Sequence, residues 1–243
     1  SRSKELPIRE YFARDHARHP PALTQDYKST VLRSPKHVPL TLGQTISEIT
    51  GPHFGQGDIG ELDNDLIRNF AKDGDPIGER IILHGRVCDE GRRPVPDALI
   101  EIWQANAGGR YRHQNDGYLA PLDPNFGGCG RTMTDDAGYY RFQTIKPGAY
   151  PWPNWEPSWR PAHVHVSVFG HSFSQRLVTQ LYFEGDPLIE RCPIANSIPD
   201  LRTLQQLVAP LDMDTAQPSD CLAYRFDIVL RGRFSTPFEN RLE

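Results

Sequence analysis

Ala162-His163-Val164-His165-Val166-Ser167-Val168-Phe169 reads as a β-strand in its residue types and its alternation. Successive side chains of a strand point to opposite faces. Val164, Val166 and Val168 therefore share one face, which needs an apolar core, and His163, His165 and Ser167 share the other. Packing gives no reason for two imidazoles side by side opposite a valine face. Residues i and i+2 stand roughly 6.5–7 Å apart along a strand, near enough for both rings to converge on one ion. On the pair alone, two surface histidines fit as well as a metal site.

Just upstream, Tyr150 to Arg160 carries Pro151, Pro153 and Pro157 together with Trp152, Trp155 and Trp159. Proline removes a backbone donor, so this segment is expected to be a rigid loop, neither a helix nor a central strand. Three tryptophans are costly to expose, and a stiff aromatic loop leading into the histidine strand predicts the wall of a pocket for a flat, apolar ligand.

Further strands follow outward in both directions. Arg80–Val87, Ala98–Gln104, Tyr139–Thr144 and Arg176–Phe183 all have strand composition, with turns at Asp89-Glu90-Gly91-Arg92, Asp135-Asp136-Ala137-Gly138 and Lys146-Pro147-Gly148. Tyr224 to Arg231 alternates cleanly, with Tyr224, Phe226, Ile228 and Leu230 inward. Asp200 to Leu211 has helical spacing, with Leu201, Leu204, Leu207 and Val208 on one stripe. The expectation is an all-β chain: a β-sandwich core with an irregular N-terminal arm, long loops and one short helix in the C-terminal half. Residues 1–80 are poor in apolar residues and read as an arm that wraps the core or a partner. Residues 81–243 read as the β-sandwich domain. Within the arm, Thr45–Ile49 and Asp65–Phe70 are each a short element at most, and Tyr27–Pro35 is its most structured part.

Composition narrows the class. With 22 prolines and 20 glycines among 243 residues, turns outweigh long helices, and 37% hydrophobic against 24% charged residues is the balance of a globular protein. No apolar run approaches the roughly 20 residues that cross a bilayer. Ser1 to Pro7 has no apolar core of a secretory signal, so none is expected. Cys88, Cys129, Cys192 and Cys221 are scattered and expected to be reduced, in a cytoplasmic protein. A net charge of -4 argues against general nucleic-acid binding.

Two histidines leave a coordination sphere unfilled. No Asp or Glu lies between Arg160 and Leu181; His171 falls beyond the strand, and Glu156 sits on the proline loop. Tyr150, which opens that loop, and Tyr111, which ends the Gly108-Gly109 exit of the preceding strand, are better placed. Phenolates are hard anionic donors, and two of them favour a trivalent ion, of which iron(III) is the common biological one.

Taken together, these stretches resemble the intradiol ring-cleaving dioxygenases. The resemblance is carried by Tyr27–Pro35 (YKSTVLRSP), Ile100–Tyr111 (IEIWQANAGGRY), Asp123–Gly128 (DPNFGG), Trp159–His165 (WRPAHVH) and Gln180–Asp186 (QLYFEGD). It implies one non-haem Fe(III) per chain, held by Tyr111, Tyr150, His163 and His165, and a β-sandwich fold, with residues 81–243 as the catalytic domain. Ala149 stands where the family usually has a second proline and Val166 where it usually has Phe; neither removes a ligand.

The implied reaction is cleavage of a catechol-type acid, 3,4-dihydroxybenzoate (protocatechuate), with O2 to 3-carboxy-cis,cis-muconate, in aromatic-compound catabolism. Other catechols, such as 4-sulfocatechol or hydroxyquinol, are the alternative substrates. By the same resemblance Tyr150 is both ligand and base, Arg160 stabilises negative charge on the ring, and Gln180 lines the pocket. Trp152 flanks the ring, Ile194 stands behind it, and Tyr27 with Arg33 binds the ring carboxylate. A homologous α chain that has lost the ligands is the implied partner. Two rivals lie outside the family: a metal-free β-sandwich binding module, and a zinc hydrolase, which needs a carboxylate base.

Overall fold

Valines on one face of Ala162–Phe169 require a facing apolar layer, and the computed structural model, which describes residues 17–37, 54–170 and 176–237, supplies it as a second sheet. The strands are β1 (Arg80–Cys88), β2 (Leu99–Gln104), β3 (Cys129–Met133), β4 (Tyr139–Ile145), β5 (Tyr150–Pro153), β6 (Pro157–Arg160), β7 (His163–Phe169), β8 (Arg176–Phe183), β9 (Val208–Ala209), β10 (Leu222–Arg225) and β11 (Ile228–Val229). One sheet runs β3-β2-β7-β8-β9; in the other, β1 pairs with β4 on one side and with β10 and β11 end to end on the other. Val164, Val166 and Val168 from the first meet Ile81, Leu83, Val87 and Phe142 from the second in one buried cluster. Gln104 crosses the layer: its Nε2 donates to the Ile145 carbonyl, and its Oε1 accepts from Thr144 Oγ1, each at 2.8 Å. The all-β sandwich expectation holds.

The expected strand over Tyr224–Arg231 keeps its alternation but splits into β10 and β11. Gly85 of β1 explains the break, because a Cβ there would lie 2.0 Å from the Phe226 carbonyl oxygen. The chain closes on β1 at that point, and Asp227 Oδ1 accepts the Arg86 amide at 3.0 Å in place of a backbone partner. Strand β3, which the sequence reading did not mark, is polar and carries Gly130. A Cβ on Gly130 would meet Leu66 Cδ1 at 2.4 Å.

Asp63 to Leu66 seals the open side of the sandwich. Asp63 O accepts the Arg131 amide on β3, and the Leu66 amide donates to Gln143 O on β4. The Leu66 side chain is fully buried in the core. The Tyr27–Pro35 stretch contains helix α1 (Lys28–Arg33), and Tyr27 joins the core cluster. Thr45–Ile49, Ser1–Pro7 and His171 lie outside the described residues.

Two expectations need correction. The helix expected over Asp200–Leu211 is only α2 (Leu201–Gln205), capped by Asp200, whose side chain accepts the Thr203 amide. Beyond it the backbone turns to pair with β8: Tyr182 N donates to Leu207 O at 2.7 Å and Glu184 N to Ala209 O at 3.1 Å. Leu204 and Leu207 are buried, but Leu201 is exposed. The proline segment is likewise no loop but a two-stranded hairpin, β5–β6, pairing Tyr150 with Arg160 and Trp152 with Ser158. A separate two-strand ladder leaves proline positions free of bonding, which a central strand does not.

Candidate metal centre and substrate cleft

Register places the chemistry on the outer face of the β3-β2-β7-β8-β9 sheet. His165 stands opposite Trp103 on β2 and Gln180 on β8, and His163 opposite Tyr182. His163 and His165 extend from alternate positions of β7, with ring centroids 5.1 Å apart. The loops carrying Tyr111 and Tyr150 bring the two phenols over them.

Those loops touch backbone to backbone. Asn106 O accepts both the Gly109 and Gly148 amides at 2.9 Å, while its Oδ1 accepts Gly108 and Arg110 amides. Gly109 has φ +82, and a Cβ there would sit 2.3 Å from Ala149 O; a Cβ on Gly148 would sit 2.2 Å from Ala107 O. Side chains at either position would push the two tyrosine loops apart. Asp116 then closes the Tyr111 side, its carboxylate accepting the Tyr111 and Tyr118 amides at 2.8 Å each.

The four side chains converge. Both hydroxyls face His163 Nε2, Tyr111 at 3.3 Å and Tyr150 at 3.4 Å. The Tyr111 ring lies 5.5 Å from that of Tyr150 and 6.2 Å from that of His165. His163 Nδ1 lies 2.7 Å from Pro161 O, so its proton belongs there and the Nε2 lone pair points at the phenols. The His165 ring is stacked on Trp103 at 4.9 Å, with planes 1° apart.

Electrostatics favours the ligand form of the imidazoles and holds the phenols protonated until positive charge is added. Burial, then the Arg160 guanidinium, holds His163 well below the ordinary imidazole value and pushes His165 down to about 3, so both rings are neutral donors. Burial pushes both phenols above their ordinary range, and the neighbouring Tyr150 raises Tyr111 further. Arg160 acts on all four in one sense, disfavouring imidazolium and favouring phenolate. Two neutral imidazoles beside two phenols that ionise only against added positive charge fit a hard, highly charged cation. Among the described residues no group of three or more His, Cys, Asp or Glu is placed to hold a metal, and Glu156 is exposed on the hairpin.

The remaining predicted residues fall at different distances from this centre. Arg160 is buried at the end of β6, where its guanidinium donates to Gln180 Oε1. It also lies 5.8 Å from the Trp152 ring. Tyr27 packs edge-on against Trp152 at 5.5 Å, and Arg33 stands 5.1 Å over Tyr27; neither lines the cleft, and both connect to it only through Trp152. A cleft of about 750 Å³ opens over Tyr111 and Tyr150, walled by Trp103, Trp152, Pro151, His113 and Tyr118. Ile194 is buried in the core cluster and does not line the cleft.

Of the three hairpin tryptophans only Trp152 lines the cleft. Trp155 and Trp159 are about half exposed, at 54% and 50%, and neither lines this cleft. Trp155 instead donates its Nε1–H to Gln25 O at 2.7 Å, tying the hairpin tip to the arm. Sequence reasoning missed Trp103 as a neighbour of His165 and Asp116 as the clamp on Tyr111. The Asn115-Asp116-Gly117 turn was the one available signal for the latter.

Comparison with known proteins gives the family. The sequence profile of the family described as Dioxygenase matches residues 49–232, and that described as Protocatechuate 3,4-dioxygenase beta subunit N terminal matches residues 12–45. The chain belongs to the intradiol dioxygenase family, whose members depend on iron. More particularly, it is 50% identical to the protocatechuate 3,4-dioxygenase beta chain of Burkholderia cepacia, over 93% of this chain and 96% of that one. It is 32% identical to the alpha chain from Pseudomonas putida, over 81% of this chain and 96% of that one. Among solved structures, 3-chlorocatechol 1,2-dioxygenase from Rhodococcus opacus 1CP superposes with a TM-score of 0.54 at 26% identity, covering 76% of this chain and 72% of that one. Family membership sets aside the binding-module and zinc-hydrolase readings. Among the described residues no helix is long and apolar enough to cross a membrane.

Proposed function

We propose that this chain is the catalytic β chain of a protocatechuate 3,4-dioxygenase, holding one non-haem Fe(III) between Tyr111, Tyr150, His163 and His165. The observation that carries the reading is the convergence of two neutral imidazoles and two phenols under one buried guanidinium, Arg160. When bound, a ferric ion would supply the Lewis acidity that draws a catechol in as its dianion and opens its ring to O2.

The chain's own residues would do the rest. Tyr150, held as a phenolate, accepts a catechol proton at its phenolate oxygen and becomes a neutral phenol, serving as base as well as ligand. Arg160, fixed by Gln180 Oε1, stabilises negative charge developing on the ring. Trp152 walls the cleft beside the ring, and Ile194, buried in the core cluster against which Trp152 packs, would stand behind it. Tyr27 and Arg33, stacked in series behind Trp152, are the residues assigned to the ring carboxylate. The product is 3-carboxy-cis,cis-muconate.

The partner in this reading is a homologous α chain, supported by the likeness to both chains of the two-chain enzyme. Residues 1–80 serve as the arm that wraps core and partner, and residues 81–243 as the catalytic sandwich. Four free cysteines agree with a cytoplasmic, reducing location. Oxygen uptake by the iron-loaded chain, co-produced with an α chain, tests the function. One O2 consumed per protocatechuate, with a colourless tricarboxylic acid product, is expected. No uptake, or a yellow semialdehyde from cleavage outside the two hydroxyls, would contradict it.

A further inference from the structure

The two imidazoles of β7 are oriented by different devices. His163 is fixed by its Nδ1–H bond to Pro161 O. The described residues give the His165 ring no hydrogen bond; its face is covered by the Trp103 indole, coplanar to within 1° at 4.9 Å, while the His163 ring meets it edge-on at 5.1 Å. That contact is built into the sheet, because β2 and β7 place Trp103 and His165 directly opposite one another. Cross-strand neighbours on one face are the pairs a sheet brings closest, and an indole is the largest flat face available.

We propose that Trp103 is a positioning residue for the iron centre, holding the His165 ring by stacking where His163 is held by a hydrogen bond. The inference rests on the metal centre proposed above. An imidazole bound to a ferric ion carries partial positive charge, and an indole face attracts such a ring, so the stack strengthens when metal binds. It also resists rotation about the Cβ–Cγ bond, because tilting the imidazole out of coplanarity loses the contact. A hydrogen-bonded partner does the same work at most metal-bound histidines.

Trp103 is well suited to a direct test. Its indole is only partly buried and borders, besides the cleft, a groove of about 370 Å³ lined also by Glu101, Cys129 and Arg131. Replacing it therefore hollows no core. Trp103→Leu and Trp103→Phe are compared with wild type in the iron-loaded α/β assembly. The readouts are the rate of iron release to a chelator, the electron paramagnetic resonance signature of the ferric ion, and the unfolding midpoint of the metal-free protein. Trp103→Leu is expected to release iron about 10- to 100-fold faster with an altered resonance. Trp103→Phe, which keeps a flat face, should fall between it and wild type. Wild-type release and resonance in Trp103→Leu would overturn the proposal. So would a loss of iron in step with a falling metal-free midpoint, which assigns Trp103 to the fold alone. A wild-type assembly that holds no iron would instead remove the metal centre itself, a separate outcome.

Discussion

Tyr111 and Tyr150 offer the same phenol, but the chain holds them differently. The Tyr111 amide is tied to Asp116, which also takes the Tyr118 amide and closes the loop. Tyr150 is the first residue of β5; its backbone pairs with Arg160, and its ring lines the cleft with that of Tyr111. A catechol chelated in the proposed site brings two negative oxygens, so one phenolate gives way there, and with the Tyr111 loop tied down by Asp116 that role is assigned to Tyr150. Tyr150→Phe should keep iron, bind protocatechuate more slowly without oxygen, and turn over roughly 100-fold less. Tyr111→Phe should change the resting spectrum while leaving the binding rate closer to wild type. Anaerobic stopped-flow of the two variants separates them; slow binding in Tyr111→Phe alone would reverse the roles. At this scale the histidines were legible because i, i+2 spacing on one strand is a local property. The Trp103 stack and the Asp116 clamp were not, since the first needs the β2–β7 register and the second a loop closure.

The elements that set the site are two loops pressed together, more than the strands beneath them. Gly109 lets the Tyr111 loop meet Ala149, and Gly148 lets the Tyr150 loop meet Ala107. Gly109→Ala adds a side chain at φ +82, costing about 1 kcal/mol in backbone strain before the clash at 2.3 Å is counted. The expected outcome is a folded sandwich with normal circular dichroism that binds iron weakly, because only the relative placement of the phenols changes. Full iron occupancy in Gly109→Ala would show that the loops do not set that placement. Strand positions were readable from alternation, as β7 and β8 show. Element ends were not: Leu207 and Val208 have helical spacing with Leu204, yet β8 claims their backbone. The hairpin β5–β6 was hidden for a related reason, since its prolines disqualify it from a main sheet but not from a two-strand ladder.

Across the whole molecule, burial of neutral histidines makes the metal-free protein sensitive to acid. Burial lowers His84, His163 and His165, the last to about 3. Above the ordinary imidazole value neither folded nor unfolded chain binds a proton there, so stability is level. Below it the unfolded chain takes protons that the fold refuses, and stability falls as pH drops through about 6.5 towards the folded values. His165 alone accounts for on the order of 2 kcal/mol between pH 7.5 and pH 5. Urea unfolding of metal-free protein should show a falling midpoint over that interval; a flat one would contradict the burial of neutral rings. The sandwich as a whole was legible because alternating strands and turns admit few architectures. The seal made by Asp63 to Leu66 was not, because its bonds to β3 and β4 come from chain far away in sequence. The central claim is that two tyrosines and two histidines of this chain hold ferric iron ready for a catechol. It is tested most directly by the visible spectrum of the iron-loaded protein before and after protocatechuate is added without oxygen. A phenolate-to-iron band that shifts on addition, with one iron per chain by metal analysis, is the predicted result. A colourless protein that is fully active with zinc would contradict it.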